Sequence, residues 1–165
     1  MGWLLAGAAV TMAMPYSRRT IGWVSLCFQT LAAGGFGYVN DYITQANFPL
    51  TATDGEDVGI EIIDPGCDFS EKDGLRYLAE ANLERPTYQQ ALRFAQQHGR
   101  TTSSTKKPFV IFLHEAWRDP YRGRRFLCVS RRPSHRELDL YDPGFGFYSH
   151  CVLAGVRPRN PLHFF

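Results

Sequence analysis

Closely spaced metal-binding and phosphate-binding residues are missing from this sequence. The four cysteines are Cys27, Cys67, Cys128 and Cys151. None of them forms a Cys-x-x-Cys motif, which argues against a zinc ribbon or a redox dithiol. His114-Glu115 begins like a zinc-protease helix, but Arg118 stands where the second histidine of His-Glu-x-x-His belongs. A glycine-rich loop ending in Lys-Ser/Thr is absent too. We therefore predict no metal and no cofactor.

Lysine is also scarce, since fifteen of the eighteen basic residues are arginine. Arginine keeps its charge when partly desolvated and binds carboxylates and phosphates through a planar fork. Aromatic residues make up 14% of the chain. Arginine and aromatic residues are enriched at protein interfaces, where lysine is depleted. The composition therefore favours a protein whose charged surface is covered by partners.

Charge is absent between Ile21 and Val39, with Arg18-Arg19 before this segment and Asn40-Asp41 after it. About 19 residues of helix measure roughly 28 Å, close to the ~30 Å thickness of the bilayer hydrocarbon. The segment predicts a single transmembrane helix with the arginine pair on the matrix or cytoplasmic side. A buried core helix is the alternative.

The N-terminal residues extend this membrane interpretation. Residues 2–14 are uncharged but too short to span, so they predict an interfacial or half-inserted helix ended by Pro15, or alternatively a segment docked on a soluble core. In the transmembrane segment, Gln29, Ala33 and Gly37 share one helical face. We expect this face to pack on another transmembrane helix, because small side chains permit close approach.

The predicted fold class is α+β, with a small mixed domain between the anchor and a C-terminal arm. Its predicted parts are an apolar segment with the anchor over 1–41, a linker over 42–57, the domain over 58–130 and an extended arm over 131–165. Strands are predicted at 58–63, 109–113 and 126–129, and helices at 70–81 and 86–99. The first helix begins with capping-box spacing at Ser70 and Asp73. The two helices predict an αα-hairpin.

Proline punctuates the chain after Arg131, at positions 133, 143, 158 and 161. Such a segment is expected to form little regular structure of its own and to lie on other chains. The predicted contact residues are Arg131, Arg132, Arg136, Arg157, Arg159, Phe164 and Phe165. An irregular C-terminus packed on its own domain is the alternative.

The segment 118–136 is the strongest candidate binding site, because its arginines interleave with Trp117, Tyr121 and Phe126. The predicted binding residues are Arg118, Arg122, Arg124, Arg125, Arg131, Arg132 and Arg136. A protein partner is ranked first, anionic lipid second and nucleic acid third. A solvated basic hairpin without a ligand is the alternative, and no small-molecule substrate is predicted.

The predicted function is that of a non-catalytic accessory subunit of a membrane complex. The five histidines are His98, His114, His135, His150 and His163. Their spacing implies no nucleophile or acid–base pair, so no catalytic residue is predicted. A small, Arg-rich anchored chain resembles the supernumerary subunits of mitochondrial inner-membrane respiratory or ATP synthase complexes, in architecture and not in any motif. The alternatives are a nucleic-acid or ribosome-associated protein and a small enzyme whose site forms only in the fold.

Overall fold

The computed structural model describes residues 36–50, 59–98 and 107–158, which form a mixed sheet of seven strands with two α-helices. The strands are β1 (Phe36–Val39), β2 (Ile60–Ile63), β3 (Phe109–Ile111), β4 (Trp117–Arg118), β5 (Arg124–Arg131), β6 (Arg136–Tyr141) and β7 (Cys151–Val156). The helices are α1 (Glu71–Glu80) and α2 (Tyr88–His98), and a 3-10 turn spans Pro143–Phe145.

The strand order is β1-β6-β5-β3-β7-β2, with β4 paired to the start of β5. β5 and β6 form an antiparallel hairpin next to the edge strand β1. β7 lies between β3, to which it is parallel, and β2, to which it is antiparallel. The start of β5 and the end of β6 therefore meet at one end of the sheet, and the loops that follow β1 and β3 emerge there too.

Each face of the sheet carries its own hydrophobic core. Because side chains alternate along a strand, Leu127 and Val129 of β5 face one core while Phe126 and Cys128 face the other. Helix α2 covers the first face with a buried stripe. That stripe consists of Ala91, Leu92, Phe94 and Ala95. Helix α1 covers the second face through Leu78. Strands that are buried on both faces read as continuous apolar runs, as β7 does.

Helix α1 confirms its predicted capping box. The Ser70 hydroxyl accepts the Asp73 N–H at 3.1 Å, and the Asp73 carboxylate accepts the Ser70 N–H at 3.2 Å. The predicted αα-hairpin is wrong, because α1 and α2 lie on opposite faces of the sheet. The connection between them passes the end of β7, where Glu84 pairs with Val156. A sheet therefore separates two helices that are neighbours in sequence.

The predicted helix over Ile21–Val39 is wrong at its C-terminal end, because Phe36–Val39 is strand β1 and pairs in parallel with β6. The imidazole of His135 lies against Gly37, where an added Cβ would be 2.6 Å from the His135 Cβ. Residues 2–14, Gln29, Ala33 and the rest of the predicted span lie outside the described residues.

A membrane-crossing helix is not found in the part of the chain that the structure describes, where no helix is both long enough and apolar enough. This finding contradicts the predicted single-pass membrane location, including the mitochondrial inner membrane. An uncharged apolar run does not reveal that β6 supplies the backbone partners of Phe36–Val39, so the sequence pattern could not separate helix from strand at this end.

The predicted extended arm is wrong as well, because β6 and β7 both belong to the sheet and every residue of β7 is buried. The prolines fall between strands: Pro133 lies in the β5–β6 loop, Pro143 opens the 3-10 turn, and Pro158 follows β7. Proline in such positions ends an element without removing a ladder hydrogen bond. Arg159, His163, Phe164 and Phe165 lie outside the described residues.

The segment 42–50, assigned to the linker by its polar composition, contributes buried side chains to the core. Ile43, Phe48 and Leu50 pack with helix α2 on the first face of the sheet. Residues 51–57 of that linker lie outside the described residues. The described cysteines Cys67, Cys128 and Cys151 are free thiols.

Candidate functional site: the arginine–aromatic end of the sheet

The predicted basic segment is divided by β5 into two groups of arginines. Arg118, Arg122, Arg124 and Arg125 lie at the start of β5, and Arg131, Arg132 and Arg136 lie at its end. At about 3.3 Å per residue, the eight residues of β5 separate the groups by roughly 23 Å. One small ligand cannot reach both groups, so each is considered separately.

The second group is partly occupied by contacts within the hairpin. Arg132 Nε donates to the Glu137 carboxylate at 3.0 Å, and the same carboxylate accepts the Ser130 hydroxyl at 3.0 Å. His135 Nε2 also binds Glu137 at 3.0 Å, while the guanidinium of Arg136 lies 4.8 Å from the ring centre of Phe36. Burial of Glu137 acts to raise its pKa, but the hydrogen bonds from Arg132, Ser130 and His135 together outweigh burial, so the pKa of Glu137 is lowered. Arg136 therefore links β6 to β1, and Arg132 and His135 link the β5–β6 loop to β6.

The first group is built on a tight turn organised by Asp119. Its Oδ1 accepts the N–H of Tyr121 at 2.9 Å and the N–H of Gly123 at 2.7 Å. A Cβ on Gly123 would lie 2.6 Å from Oδ2 of Asp119, so this position requires glycine. The other carboxylate oxygen accepts Arg125 Nε at 3.0 Å. The turn is therefore held from inside by a nearly buried carboxylate.

Arg125 also forms an ion pair with Asp142, at the beginning of the 3-10 turn. Its guanidinium lowers the pKa of Asp142, with a smaller contribution from the Gly144 N–H. Arg125 thereby fixes two loops that are separate in sequence, the β4–β5 turn and the loop after β6. Neighbouring Arg124 forms a two-bond pair with Glu71 at 2.6 and 2.8 Å, which fixes the start of helix α1 beside them.

Each of the two fixed loops presents an exposed aromatic side chain. Tyr121 is 88% exposed in the β4–β5 turn, and Phe145 is 93% exposed in the 3-10 turn. An open cleft of about 290 Å³ lies beside the second loop and is lined by Glu71, Arg124, Asp142, Pro143 and Gly144. Large aromatic side chains on loops that are held by ion pairs and hydrogen bonds form a pre-arranged contact surface.

Trp117 and Tyr42 continue this surface across the sheet end. The Trp117 ring lies 5.6 Å from the ring of half-exposed Tyr42 and 5.5 Å from buried Phe48. Trp117 therefore connects the exposed surface to the first hydrophobic core. We define the arginine–aromatic end as Tyr42, Trp117, Arg118, Tyr121, Arg122 and Phe145.

Arg122 occupies an unusual backbone conformation in this surface. Its φ is +68°, in the left-handed region that costs a non-glycine residue roughly 1–2 kcal/mol. Its N–H is bonded to Asp119 O at 2.9 Å, and its own carbonyl accepts Arg118 Nη1 at 3.4 Å. The turn would accommodate glycine at this position more easily, and it carries arginine instead.

Arg118 and Arg122 are among the predicted binding residues, and Tyr121 and Trp117 lie beside them in the sequence. Tyr42 and Phe145 were not predicted as site residues, because the fold brings them to this end from segments distant in sequence. The exposed Phe145 follows Asp142-Pro143-Gly144, a turn signal that places an aromatic residue at a loop tip. This turn signal could have predicted that Phe145 is exposed at a loop tip.

Three of the described groups with catalytic potential, His114, Cys128 and Cys151, are buried. His114 is buried with both ring nitrogens hydrogen-bonded to backbone groups. Burial raises the pKa of the Cys128 thiol and that of the Cys151 thiol, so both are protonated at neutral pH and poorly nucleophilic. No cluster of three or more metal-ligating side chains occurs within residues 36–50, 59–98 and 107–158.

Comparison with protein-family models, curated proteins and solved structures yields no match to this chain. The site is therefore assigned from its own geometry.

The role of Arg125 leads to a stability prediction. Arg125→Gln is expected to lower the free energy of unfolding by about 2 kcal/mol, because the carboxylate of Asp119 is only 7% exposed and loses its cation. Urea unfolding of the full chain measures this loss. Arg131→Gln is the matched control, since Arg131 is exposed and a surface change of this kind stays within about 0.5 kcal/mol. Equal stability of the two variants would show that Arg125 does not hold the turn.

Proposed function

We propose that this chain is a binding subunit that docks on a partner protein through the arginine–aromatic end. The observation that carries the proposal is the exposure of Tyr121 and Phe145 on two loops that Arg125 holds in place. Aromatic and arginine side chains dominate the energetics of protein interfaces. Because the loops are already fixed by ion pairs, little ordering entropy is lost when a partner binds.

The charge balance at this end favours a protein over a nucleic acid. The four arginines of the first group face three carboxylates, those of Glu71, Asp119 and Asp142, which leaves a net charge near +1. Nucleic acid presents a phosphate charge for every ~3.4 Å of each strand and is bound by several unpaired cations. Because Arg124 and Arg125 are already bound by these carboxylates, only Arg118 and Arg122 of this group remain to contact phosphates, fewer cations than nucleic-acid binding ordinarily uses.

The proposal is tested by the size of the complex that the full chain forms in an extract of the cells that produce it. The double variant Tyr121→Ser/Phe145→Ser is expected to migrate as the free 18.7 kDa chain on a native gel, while the unchanged chain migrates in a larger complex. Both side chains are exposed, so the fold should lose no more than about 0.5 kcal/mol.

Tyr148→Ser is the matched control. Tyr148 is 46% exposed and lies near the start of β7, at the opposite end of the sheet. It should leave the complex intact. The proposal is wrong if the double variant stays in the complex, if the unchanged chain is monomeric in the extract, or if ribonuclease and deoxyribonuclease treatment disperses the complex.

A further inference from the structure

We infer that the partner presents an acidic segment with an apolar side chain, and that Arg118 and Arg122 bind its carboxylates. This inference rests on the proposed function and names the chemistry of the partner. Its first support is the pairing of the arginines. Arg124 and Arg125 are bound by carboxylates, whereas Arg118 and Arg122 are exposed and have no carboxylate partner among the described residues.

The positions of these two cations suit a carboxylate. Arg118 Nη1 lies 3.4 Å from the carbonyl oxygen of Arg122, so the guanidinium of Arg118 lies against the turn that carries Arg122. A guanidinium presents two parallel N–H donors, which match the two oxygens of one carboxylate. Two arginines of one turn therefore suit one or two acidic side chains of a short segment.

The backbone of Arg122 gives independent support. A left-handed φ of +68° is a conformation that favours glycine, and Gly123 follows directly. Strained residues that persist at an exposed position are a reason to look for function in the side chain. Among residues 36–50, 59–98 and 107–158 no carboxylate pairs with the Arg122 guanidinium, and its side chain is exposed.

The apolar part of the segment is indicated by the aromatic side chains around the two arginines. Tyr121 lies between them in sequence and is almost fully exposed. The rings of Trp117 and Tyr42 contact each other, and Trp117 directly precedes Arg118 in the sequence. An isolated acidic residue would leave this aromatic area uncovered. A segment that combines carboxylates with a Phe, Leu or Trp side chain covers both parts of the surface.

The test measures the binding of fluorescein-labelled peptides to the full chain by fluorescence anisotropy. The probes are a peptide of about 15 residues rich in Glu with two Phe residues, the same peptide with Ser in place of every Glu, and a thymidine oligonucleotide of similar length. The acidic peptide is expected to bind at concentrations below about 1 mM and to weaken as salt is added.

Arg118→Gln/Arg122→Gln is expected to weaken binding of the acidic peptide at least about tenfold, because two charge-assisted pairs are lost. Arg131→Gln, at the far end of β5, should change it by less than about twofold. Arg122→Gly separates binding from folding. It should leave the thermal midpoint unchanged or raised by up to about 3 °C, because the turn tolerates glycine, and still weaken binding.

The inference is overturned if the Ser peptide binds as well as the Glu peptide, if the double arginine variant binds normally, or if the oligonucleotide binds more tightly than the acidic peptide. Absence of binding by all three probes also overturns the inference. If the native-gel complex nevertheless depends on Tyr121 and Phe145, the proposed function is unaffected. Arginine-dependent peptide binding without any effect of Tyr121→Ser/Phe145→Ser on the native complex contradicts the proposed function alone.

Discussion

Replacing Phe147 with alanine is expected to lower the free energy of unfolding by about 3–5 kcal/mol, the range for removing a fully buried aromatic side chain. Phe147 is 1% exposed. Its ring stacks at 5.1 Å on both Phe69 and Tyr141 and lies 6.1 Å from Phe126. The cavity left behind would lie where the loop after β6, helix α1 and β5 meet. Urea unfolding of the full chain, followed by circular dichroism, gives the difference directly.

The control for this prediction lies two residues away. Phe145→Ala removes the same side chain from a position that is 93% exposed, and it should change the unfolding free energy by no more than about 0.5 kcal/mol. The pair therefore separates a core role from a surface role in one loop. A loss of less than about 1 kcal/mol for Phe147→Ala would mean that this loop is not packed on the sheet.

Acidification from pH 6.5 to pH 4 is expected to remove about 3 kcal/mol of stability through His114 alone. The backbone N–H of Leu127 donates to Nε2 at 2.8 Å, so Nδ1 carries the proton and donates to Glu115 O at 2.6 Å. Burial, with a smaller effect from the charge of Arg85, lowers the pKa of His114 to about 4.

The sign follows from which state takes up the proton first. The unfolded histidine protonates near pH 6.5, while the folded one stays neutral down to about pH 4. Stability is therefore fully present above pH 6.5 and falls by up to about 1.4 kcal/mol per pH unit across this window. Urea midpoints measured at intervals between pH 7 and pH 4 give the slope.

His114→Gln isolates this contribution from that of the carboxylates. The glutamine amide oxygen can still accept the Leu127 N–H, and it does not titrate. The variant should be less stable than the unchanged chain at pH 7 and should show a shallower dependence on pH between 6.5 and 4. Identical slopes for the two proteins would show that His114 is not buried in its neutral form.

Local chemistry made parts of this fold predictable. The Ser70–Asp73 capping box fixes the start of α1 because both of its hydrogen bonds form within one turn. The apolar run in β5 predicts a buried strand, which the structure confirms within the longer element Arg124–Arg131. Such signals depend on a few neighbouring residues and not on the pairing order of the strands, so they can be read from the sequence.

The errors arose where partners are distant in sequence. Phe36–Val39 becomes a strand because β6 supplies its hydrogen bonds, and those partners begin at Arg136. The alternation of Glu137, Leu138, Asp139 and Leu140 is a strand signal that the nearby prolines obscure. Pairing register between such segments is a tertiary property, so the sequence pattern alone could not show that the predicted arm belongs to the sheet.

In the candidate site too, contacts between residues close in sequence were predictable and contacts between distant residues were not. Arg118, Tyr121 and Arg122 stand together in the sequence, so their proximity was visible. Their separation from Arg131 and Arg132 was not, because it depends on Arg124–Arg131 forming one extended strand. The carboxylates that neutralise Arg124 and Arg125 come from residues as distant as Glu71 and Asp142.

The position of β7 has a consequence for how the chain reaches its folded state. β2 pairs with no described strand other than β7, and the two are joined at Ile60 and Val156, almost a hundred positions apart. During synthesis, β2 and the half-buried isoleucines that it carries must wait for β7 to leave the ribosome before the sheet can close. Non-local closure of this kind slows folding and leaves a strand edge open to wrong partners in the meantime. A nascent chain from which β7 has not yet emerged therefore exposes the β2 edge that a chaperone would have to protect.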